Sequence, residues 1–365
     1  MNEQVVKVAI VGSGNIAKVY ADNIQNYPHV QIAGFQDIQA DRATALASAY
    51  GGKSYRTIDE VVSDPNVDLV VNLTIQQVHA AIVRQCLEGG KHVYSEKPMT
   101  LNYDDAASLV ALADERGLRL SSAPITYMGE GQETAWRLIR EGRAGQIRLV
   151  TASVLCGQVN RRQPNPVPFL QVGALWDVGV YALTLLTAFL GPAKSVTANG
   201  RLLQPDRETI GGVAFHFDTP DYVLALIEFE SGPIARVETS FYAQGPRGGN
   251  VLEFHGDKGT IWLGDFQDFR AGVQYSEVGK GYIPIEIGVA PDTIPSYGRA
   301  GRGVDEMARA ILEGRPHRAS GAHAAHVIEI LAGIDKSNGA PVEIQSSFTP
   351  PRPIEFGEVA PHRPA

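Results

Sequence analysis

The chain has 365 residues, of which 44% are hydrophobic and 20% are charged, and its formal net charge is -8. This length suits two domains, and the composition is that of a globular protein with room for a hydrophobic core. An acidic balance without a Lys/Arg-rich block argues against nucleic-acid partners, because sequence-independent binding depends on cations that neutralise backbone phosphates.

The two cysteines, Cys86 and Cys156, stand far apart and outside any Cys-x-x-Cys spacing. They supply neither a disulfide framework nor a thiolate metal site, so we expect a reducing, cytoplasmic location. Residues 1–4 lack the basic start of a secretory signal. The longest apolar stretch, 178–190, falls short of the roughly 20 residues that a membrane span needs, and therefore predicts a core helix and no membrane association.

Up to residue 124 the sequence alternates short β-branched runs with helical patterns, which predicts parallel strands joined by crossover helices. The predicted elements are, in chain order, strand 5–11, a helix with Ile16, Val19, Tyr20 and Ile24 on one face, strand 30–35, helix 41–50, strand 68–73, a helix presenting Ile82, Val83, Cys86 and Leu87, strand 92–94, a helix that Asn102 caps, and strand 119–123. We therefore predict an N-terminal Rossmann domain, a doubly wound α/β unit, over residues 1–124.

After residue 124 the pattern changes to longer helices and strands separated by glycine-rich turns. The predicted elements are helix 132–141, a strand near 147–155, a proline-rich loop, a helix from about 176 to 190, strands 222–229, 234–242, 251–255 and 260–263, and helices 304–312 and 322–337. This pattern predicts a C-terminal α+β domain over residues 125–365, with a mostly antiparallel open sheet.

A glycine-rich hexapeptide, Gly12-Ser13-Gly14-Asn15-Ile16-Ala17, follows the first predicted strand and opens the first helix. It matches the Gly-x-Gly-x-x-Ala dinucleotide-binding fingerprint in the strand-to-helix context that the motif requires. The first glycine permits a tight turn, the second lets the backbone approach a pyrophosphate, and the helix N-terminus offers amides to the phosphates. The predicted cofactor contacts in this loop are Gly12, Ser13, Gly14, Asn15 and Ile16.

Asp37 ends the second predicted strand, where the fingerprint expects a carboxylate for the adenosine ribose hydroxyls. A carboxylate there repels the 2′-phosphate of NADP and favours NAD. Arg42 lies five residues on and can offset that repulsion, so NADP stays possible. The alternative for Asp37 is a cap for the helix that starts near Asp41.

Glu96-Lys97-Pro98 follows a short apolar strand. In a parallel α/β sheet, ligands collect at the carboxyl ends of strands, and both Thr74 and Lys97 fall at such ends. The lysine therefore lies where a bound nicotinamide is expected, which indicates hydride transfer and not only nucleotide binding. The alternative for Lys97 is a solvated loop lysine.

Two polar residues, Asp177 and Tyr181, stand four apart in an otherwise apolar helix, so they share one face. Oxidation of a carbinol requires removal of the hydroxyl proton as hydride leaves the same carbon, and a protein base must be within hydrogen-bond reach. Lys97 or Tyr181 can be that base. The alternatives are a core tyrosine and a carboxylate favoured by the helix dipole.

Together these segments resemble one oxidoreductase family, with Gly12-x-Gly14-x-x-Ala17, Asp37, Asn72-Leu73-Thr74 followed by His79, Glu96-Lys97-Pro98, and the second-domain segment 173–181. They are similar to the glucose-fructose oxidoreductase, inositol dehydrogenase and rhizopine catabolism (Gfo/Idh/MocA) family. Tyr181 stands where inositol dehydrogenase-like members have His, and resembles the tyrosine-containing subgroup.

The resemblance implies a Rossmann domain and an α/β domain whose open sheet builds homodimers or homotetramers. It implies Lys97 as the shared acid/base, with Asp177 and Tyr181 holding hydroxyls or relaying the proton. It also implies cofactor contacts from Thr74, His79, Glu96 and Lys97, and a sugar, polyol or related cyclic alcohol as substrate. The function predicted in this way is an NAD(P)-dependent dehydrogenase or reductase.

Two other classes stay open within the same resemblance, a glycosidase that uses tightly held NAD for transient oxidation and a non-catalytic dinucleotide sensor. Specificity is expected to depend on loops 156–172 and 240–250. In the first of these loops the pair Arg161-Arg162 faces either substrate oxygens or solvent. Trp176, beside Asp177, either stacks near the nicotinamide or sugar ring or packs in the core. His323, His326 and Glu329 recur at three-residue spacing, but the third drifts around the helix, so no metal site is predicted.

Overall fold

A computed structural model describes residues 5–245, 249–288 and 300–354 of the chain. Residues 1–4 and part of one predicted specificity loop, 246–248, lie outside this description. Contacts group the described residues into two units, the first with residues 5–125 and 300–328 and the second with 126–288 and 329–353. The sequence-based division placed all residues after 124 in the second domain, whereas 300–328 group with the first unit.

The first unit contains a six-stranded sheet with five helices between its strands. The strands are β1 Val6–Val11, β2 Val30–Gln36, β3 Lys53–Tyr55, β4 Leu69–Asn72, β5 His92–Ser95 and β6 Leu120–Ser122, and the helices are α1 Asn15–Ile24, α2 Ala40–Tyr50, α3 Ile58–Ser63, α4 His79–Glu88 and α5 Tyr103–Glu115. All neighbouring strands are parallel, in the order β3-β2-β1-β4-β5-β6. This is the strand order of a dinucleotide-binding Rossmann sheet, so the predicted fold class is confirmed.

Local sequence explains these elements. Strand β4 is buried along its whole length, as expected for a parallel strand covered on both faces. Helix α5 begins at the predicted cap, where Asn102 Oδ1 accepts a hydrogen bond from the Asp105 N–H at 2.8 Å. Helix α1 buries Ala17, Tyr20, Ala21 and Ile24. The prediction that Ile16 shares this buried face was wrong, because Ile16 precedes the stripe and is 41% exposed.

The second unit is built on a nine-stranded sheet in the order β16-β15-β14-β13-β7-β12-β11-β8-β17. Its elements are α6 Glu130–Arg140, β7 Ile147–Leu155, α7 Val167–Ala174, α8 Val180–Leu190, β8 Ala193–Arg201, a small hairpin of β9 Asp206–Glu208 and β10 Ala214–His216, β11 Tyr222–Phe229, β12 Ile234–Ser240, β13 Asn250–Gly256, β14 Gly259–Leu263, β15 Val273–Glu277, β16 Ile283–Ile285 and β17 Val342–Glu343. Within this sheet β7 and β12 are parallel, and the other neighbours are antiparallel. The predicted mostly antiparallel sheet is confirmed.

One face of this sheet is packed and the other is open. In β11, Val223, Ala225, Ile227 and Phe229 are buried, while the residues between them face out. The open face carries large apolar side chains that are more than a third exposed, namely Leu149, Leu224, Leu226 and Ile234.

Helices α7 and α8 are joined by a π-helical turn, Leu175–Gly179. The resulting run, Val167–Leu190, is the one helical stretch of the described residues that is long and apolar enough to cross a membrane. However, 67% of its most apolar window is buried inside the protein, as in a core helix.

Two further helices complete the described chain, α9 Gly301–Glu313 and α10 Gly321–Ser337. Helix α9 packs on α1 in the first unit, and the Gly301 N–H donates to Asn23 Oδ1 at 3.2 Å. A methyl group at Gly301 would lie 2.9 Å from Asn23 Cβ, so this close approach requires glycine.

Candidate functional site

The turn between β1 and α1 has the geometry that the fingerprint predicts. Gly12 has φ +92°, and a Cβ there would lie 2.6 Å from the carbonyl carbon of Leu73. Only glycine fits, because both the backbone conformation and the close contact with the backbone just after β4 exclude a side chain. At Gly14, by contrast, a Cβ would meet no atom within 4 Å. The open space at Gly14 lies at the N-terminus of α1, where a pyrophosphate binds in this motif.

Asp37 connects this turn to the end of β2. Its Oδ2 accepts a hydrogen bond from the Ser13 N–H at 2.7 Å, and its Oδ1 accepts one from the Gln39 N–H at 2.8 Å. The alternative in which Asp37 caps α2 is not what the structure shows, since Gln39 is the N-cap of that helix. A carboxylate accepts about four hydrogen bonds, so acceptor positions remain for ribose hydroxyls. Arg42 is exposed in the first turn of α2.

A buried polar network lies at the carboxyl ends of β4 and β5. Asn72 is fully buried, where its Nδ2 donates to Ser95 Oγ at 3.1 Å and its Oδ1 accepts from Thr74 Oγ1 at 2.7 Å. His79 is 1% exposed, with Nδ1 2.7 Å from the Pro98 carbonyl oxygen and Nε2 3.0 Å from that of Thr74. Both ring nitrogens thus face backbone carbonyls of two different loops, and the contact of His79 with the cofactor stays a prediction.

Glu96 is held from two sides. Its Oε1 accepts a hydrogen bond from the Tyr20 hydroxyl of α1 at 2.7 Å, and its Oε2 accepts one from the Lys97 N–H at 3.0 Å. Burial, followed by the Glu96 charge, raises the pKa of Tyr20 well above its usual value, so the hydroxyl keeps its proton. Lys97 itself is partly buried just beyond the end of β5.

The first unit thus brings most of its predicted residues to one edge of the sheet. Gly12 contacts the backbone of residues 73–74, Ser13 is bonded to Asp37, and His79 links Thr74 to the residue after Lys97. The side chains of Ile16 and Arg42 are exposed to solvent.

In the second unit, Asp177 occupies the middle of the π-helical turn and Tyr181 the first turn of α8. Both side chains are partly buried. A π-helical turn places hydrogen bonds between residues five apart and is frequent at functional sites. The prediction of a regular α-helix there was wrong. A glycine lies near each end of the irregular turn. Gly173 has φ +84°, and a Cβ at Gly179 would lie 3.0 Å from Thr239 Cγ2, so both positions favour glycine.

Trp176, beside Asp177, is tied to the second half of α10. Its indole Nε1 donates to Asp335 Oδ2 at 2.7 Å. The indole therefore fixes the irregular turn against α10. Sequence reasoning named Trp176 but not Asp335, because the two residues are 159 apart in the chain and α10 has no feature that marks this aspartate.

Sequence reasoning also missed the part that Tyr20 plays. Tyr20 was assigned only to a buried stripe of α1, yet its hydroxyl donates to Glu96. A signal was present, because a tyrosine in a buried stripe needs a hydrogen-bond partner for its hydroxyl.

The α10 residues considered for a metal serve other purposes. Glu329 accepts hydrogen bonds from the backbone N–H groups of Gln345 at 2.9 Å and Ser346 at 2.8 Å. Burial, followed by the neighbouring His326, lowers the pKa of His323 to about 3. Among the described residues, no group of three or more His, Cys, Asp or Glu side chains is placed to hold a metal ion.

Two family models match the chain over more than half of its length. Residues 6–123 match the oxidoreductase family with an NAD-binding Rossmann fold, and residues 133–262 match the GFO/IDH/MocA C-terminal domain. The chain therefore belongs to the GFO/IDH/MocA family of oxidoreductases, and its first unit is an NAD-binding Rossmann fold. The open cradle at Gly14 and the Asp37 carboxylate fit such a dinucleotide.

Named relatives span most of the chain. A dTDP-3,4-didehydro-2,6-dideoxy-alpha-D-glucose 3-reductase from Actinomadura kijaniata is 25% identical over 87% of this chain and 91% of its own length. A myo-inositol 2-dehydrogenase from Thermotoga maritima is 23% identical over 72% of this chain and 76% of its own. The structure of levoglucosan dehydrogenase with NADH and L-sorbose superposes with a TM-score of 0.82 at 21% identity, over 94% of this chain and 100% of that one. This last likeness confirms the fold.

Proposed function

We propose that the protein is an NAD(P)-dependent dehydrogenase or reductase that acts on a sugar, polyol or related cyclic alcohol. Family membership supports the reaction class, and the substrates in the names of its relatives support the substrate class. The observation that carries the proposal is the anchored lysine. Glu96 and His79 hold the segment around Lys97 from both sides, at the same sheet edge as the glycine cradle.

Each residue has a distinct part in the proposed reaction. The nicotinamide, when bound, supplies the acceptor or donor of hydride. Lys97 Nζ takes the proton from the substrate hydroxyl during oxidation and returns it during reduction, because a positioned base is needed while the C–H bond breaks. Tyr181 assists this proton transfer, and Asp177 orients the lysine and the substrate. Lys97 belongs to the first unit and the other two to the second, so their joint action is part of the proposal.

We further propose that NAD is preferred over NADP. The Asp37 carboxylate is fixed by two backbone N–H groups, so it cannot turn away from a 2′-phosphate without losing both bonds. Arg42 is exposed five residues on and is the residue expected to contact a 2′-phosphate when NADP binds.

The open face of the nine-stranded sheet supports assembly as a homodimer or homotetramer. Its exposed leucines and isoleucine, Leu149, Leu224, Leu226 and Ile234, are apolar surface of the kind that subunit interfaces cover. The two cysteines are both free thiols, which is compatible with the proposed cytoplasmic location.

The test is absorbance at 340 nm with NAD or NADP across a panel of sugars, polyols and cyclic alcohols, using the whole protein. Turnover with at least one of these alcohols is expected. Cleavage of aryl glycosides without net change of cofactor would instead indicate the glycosidase class. Tight NAD binding without turnover of either kind would indicate a sensor, and would contradict the proposal.

A further inference from the structure

A pocket in the second unit lies where the parallel strands β7 and β12 end. Its volume is about 460 Å³. Most of its lining residues come from the two loops that the sequence predicts to set specificity, among them Cys156, Gln158, Arg161, Arg162 and Gln244. Carboxyl ends of parallel strands are the usual place for ligands in α/β folds.

Backbone hydrogen bonds join the two walls of this pocket. The Cys156 N–H donates to the Ser240 carbonyl at 3.0 Å, and the Gly157 N–H donates to the Ala243 carbonyl at 2.9 Å. The Leu155 carbonyl in turn accepts from the Gly245 N–H at 3.2 Å. These main-chain bonds fix the described backbone walls of the pocket before any ligand arrives.

The charge of the pocket is unusual for this acidic chain. Its lining contains two guanidinium groups, Arg161 and Arg162, and no carboxylate. Arg162 Nη2 donates to the Cys156 carbonyl, and Arg161 Nε donates to Gln158 Oε1 at 3.4 Å. Within residues 5–245, 249–288 and 300–354, neither guanidinium lies within ion-pair distance of an acidic side chain. Arg161 also lines a neighbouring cavity with Asp206 and Glu208. Arg162 is therefore the guanidinium that belongs to this pocket alone, whose own described lining holds no carboxylate.

The pocket is close to the turn that carries Asp177. Cys156 of its wall and Val178, the residue after Asp177, pack against the same buried cluster, formed by Val159, Leu170, Ala174, Phe217 and Phe241. A ligand that extends from Asp177 therefore has this cavity as a neighbouring subsite.

We propose that this pocket binds an anionic group of the substrate, a carboxylate or a phosphate attached to the sugar. The planar fork of arginine matches both groups, and charge-assisted hydrogen bonds are roughly twice as strong as neutral ones. The amide side chain of Gln244, which also lines the pocket, is placed to contact a neighbouring hydroxyl. This assignment of the substrate class rests on the proposed function, and it decides between the substrate and the solvent alternatives for Arg161-Arg162.

The test compares neutral and anionic members of matched pairs, D-glucose with D-glucuronate, D-galactose with D-galacturonate, and D-glucose with D-glucose 6-phosphate. Affinity for the full-length protein saturated with NAD is measured by calorimetry at 50 and 500 mM KCl. We expect the anionic member of at least one pair to bind about tenfold more tightly at low salt, and less so at high salt. The uronates and the phosphate distinguish the two kinds of anion.

Substitutions of the two arginines test whether the preference for anionic ligands arises in this pocket. Arg161→Gln and Arg162→Gln are each expected to weaken the anionic ligand about tenfold and to leave the neutral one unchanged. Arg162→Lys keeps the charge without the fork, and is expected to fall between the wild type and Arg162→Gln. The control is Arg201→Gln, because Arg201 is also exposed and donates to a backbone carbonyl, that of Gly200, but lies outside the pocket.

The outcomes separate this inference from the proposed function. Equal binding of neutral and anionic members, unchanged by the pocket substitutions, would overturn the anion site even if neutral sugars are oxidised. Selective binding of an anionic sugar that requires Arg161 and Arg162 would support the site even if no sugar reduced NAD. The absence of NAD reduction with every sugar would contradict the proposed dehydrogenase activity, but not the anion site.

Discussion

The imidazole Nδ1 of His79 contacts the carbonyl oxygen of Pro98 at 2.7 Å, inside the protein and next to the proposed catalytic lysine. The same ring reaches the Thr74 carbonyl at 3.0 Å, so one side chain joins the ends of two strands. We infer that His79 holds the backbone that follows Lys97.

Replacement of this ring separates the two possible roles. In His79→Leu we expect kcat to fall about tenfold or more, because a small displacement of a catalytic group is costly. The Kd of NAD is expected to change less than about threefold, as measured by fluorescence titration. A large rise in Kd with unchanged kcat would show a direct cofactor contact instead. His92→Leu is the control, since His92 lies at the amino end of β5, the strand that leads to Lys97, and its Nδ1 accepts a hydrogen bond from the Arg119 N–H.

Substitution of the two glycines of the fingerprint is expected to cause two different defects, a loss of stability at Gly12 and a loss of NAD affinity at Gly14. In Gly12→Ala, the new methyl group meets the Leu73 backbone at 2.6 Å and the φ of +92° is strained, so the free energy of unfolding should fall by about 2 kcal/mol or more. In Gly14→Ala, nothing lies within 4 Å of the methyl group, so stability should be nearly unchanged. NAD affinity should nevertheless fall at least about tenfold, because the methyl occupies the pyrophosphate position.

Urea unfolding measures the free energy of unfolding of each glycine variant, and titration with NAD measures its affinity for the cofactor. A Gly14→Ala protein with full NAD affinity would show that the dinucleotide does not use this turn.

Cofactor preference depends on Asp37. In Asp37→Ala, we expect the ratio of kcat/KM for NAD to that for NADP to fall at least about tenfold, because the charge that repels a 2′-phosphate is lost. Arg42→Ala is expected to weaken NADP alone. Equal ratios for Asp37→Ala and the wild type would contradict the assignment of the ribose site.

The pH dependence of stability should include one group far from the nucleotide edge. The Lys53 ammonium, followed by the Asn66 backbone N–H, holds the pKa of Asp64 below its usual range. A lowered carboxyl pKa stabilises the folded state above the unfolded value of about 4, and this contribution is lost as pH falls below it. In Asp64→Asn we expect about 1–2 kcal/mol less stability at pH 7.

Urea titrations of Asp64→Asn between pH 2.5 and pH 7 should show the difference from the wild type shrinking with acidity. A difference that stays constant over this range would exclude the carboxylate charge as its cause. Asp114→Asn, at an exposed position of α5, is the control and should show no such loss.

Much of the fold was predictable because its signals are local. The β-branched runs of β1, β2 and β4 and the glycine turn after β1 are readable in a few consecutive residues, and all three strands lie where predicted. Strand β8 was missed because its sequence, Ala193–Arg201, mixes glycine, asparagine and charged residues among its apolar positions. Its pairing with β11 comes from tertiary contacts, which override local preference.

For the candidate site, the sequence predicted which residues take part but not their local backbone geometry or their contact partners. The π-helical turn at Asp177 has no periodic signature in an apolar helix, and the His79 contact depends on a carbonyl 19 residues away. Likewise, α9 joins the first unit through contacts with α1. Such partners are set by the folded backbone, so no spacing rule could supply them.

The central claim is that Lys97 moves the substrate proton, and chemical rescue of Lys97→Ala tests it most directly. With the best alcohol of the panel, kcat is expected to fall by about 10²–10⁴-fold while NAD still binds, and added ethylamine should restore part of the rate. Lys194→Ala, an exposed lysine of β8, should behave as the wild type. A Lys97→Ala protein that oxidises the alcohol at the wild-type rate would contradict the account.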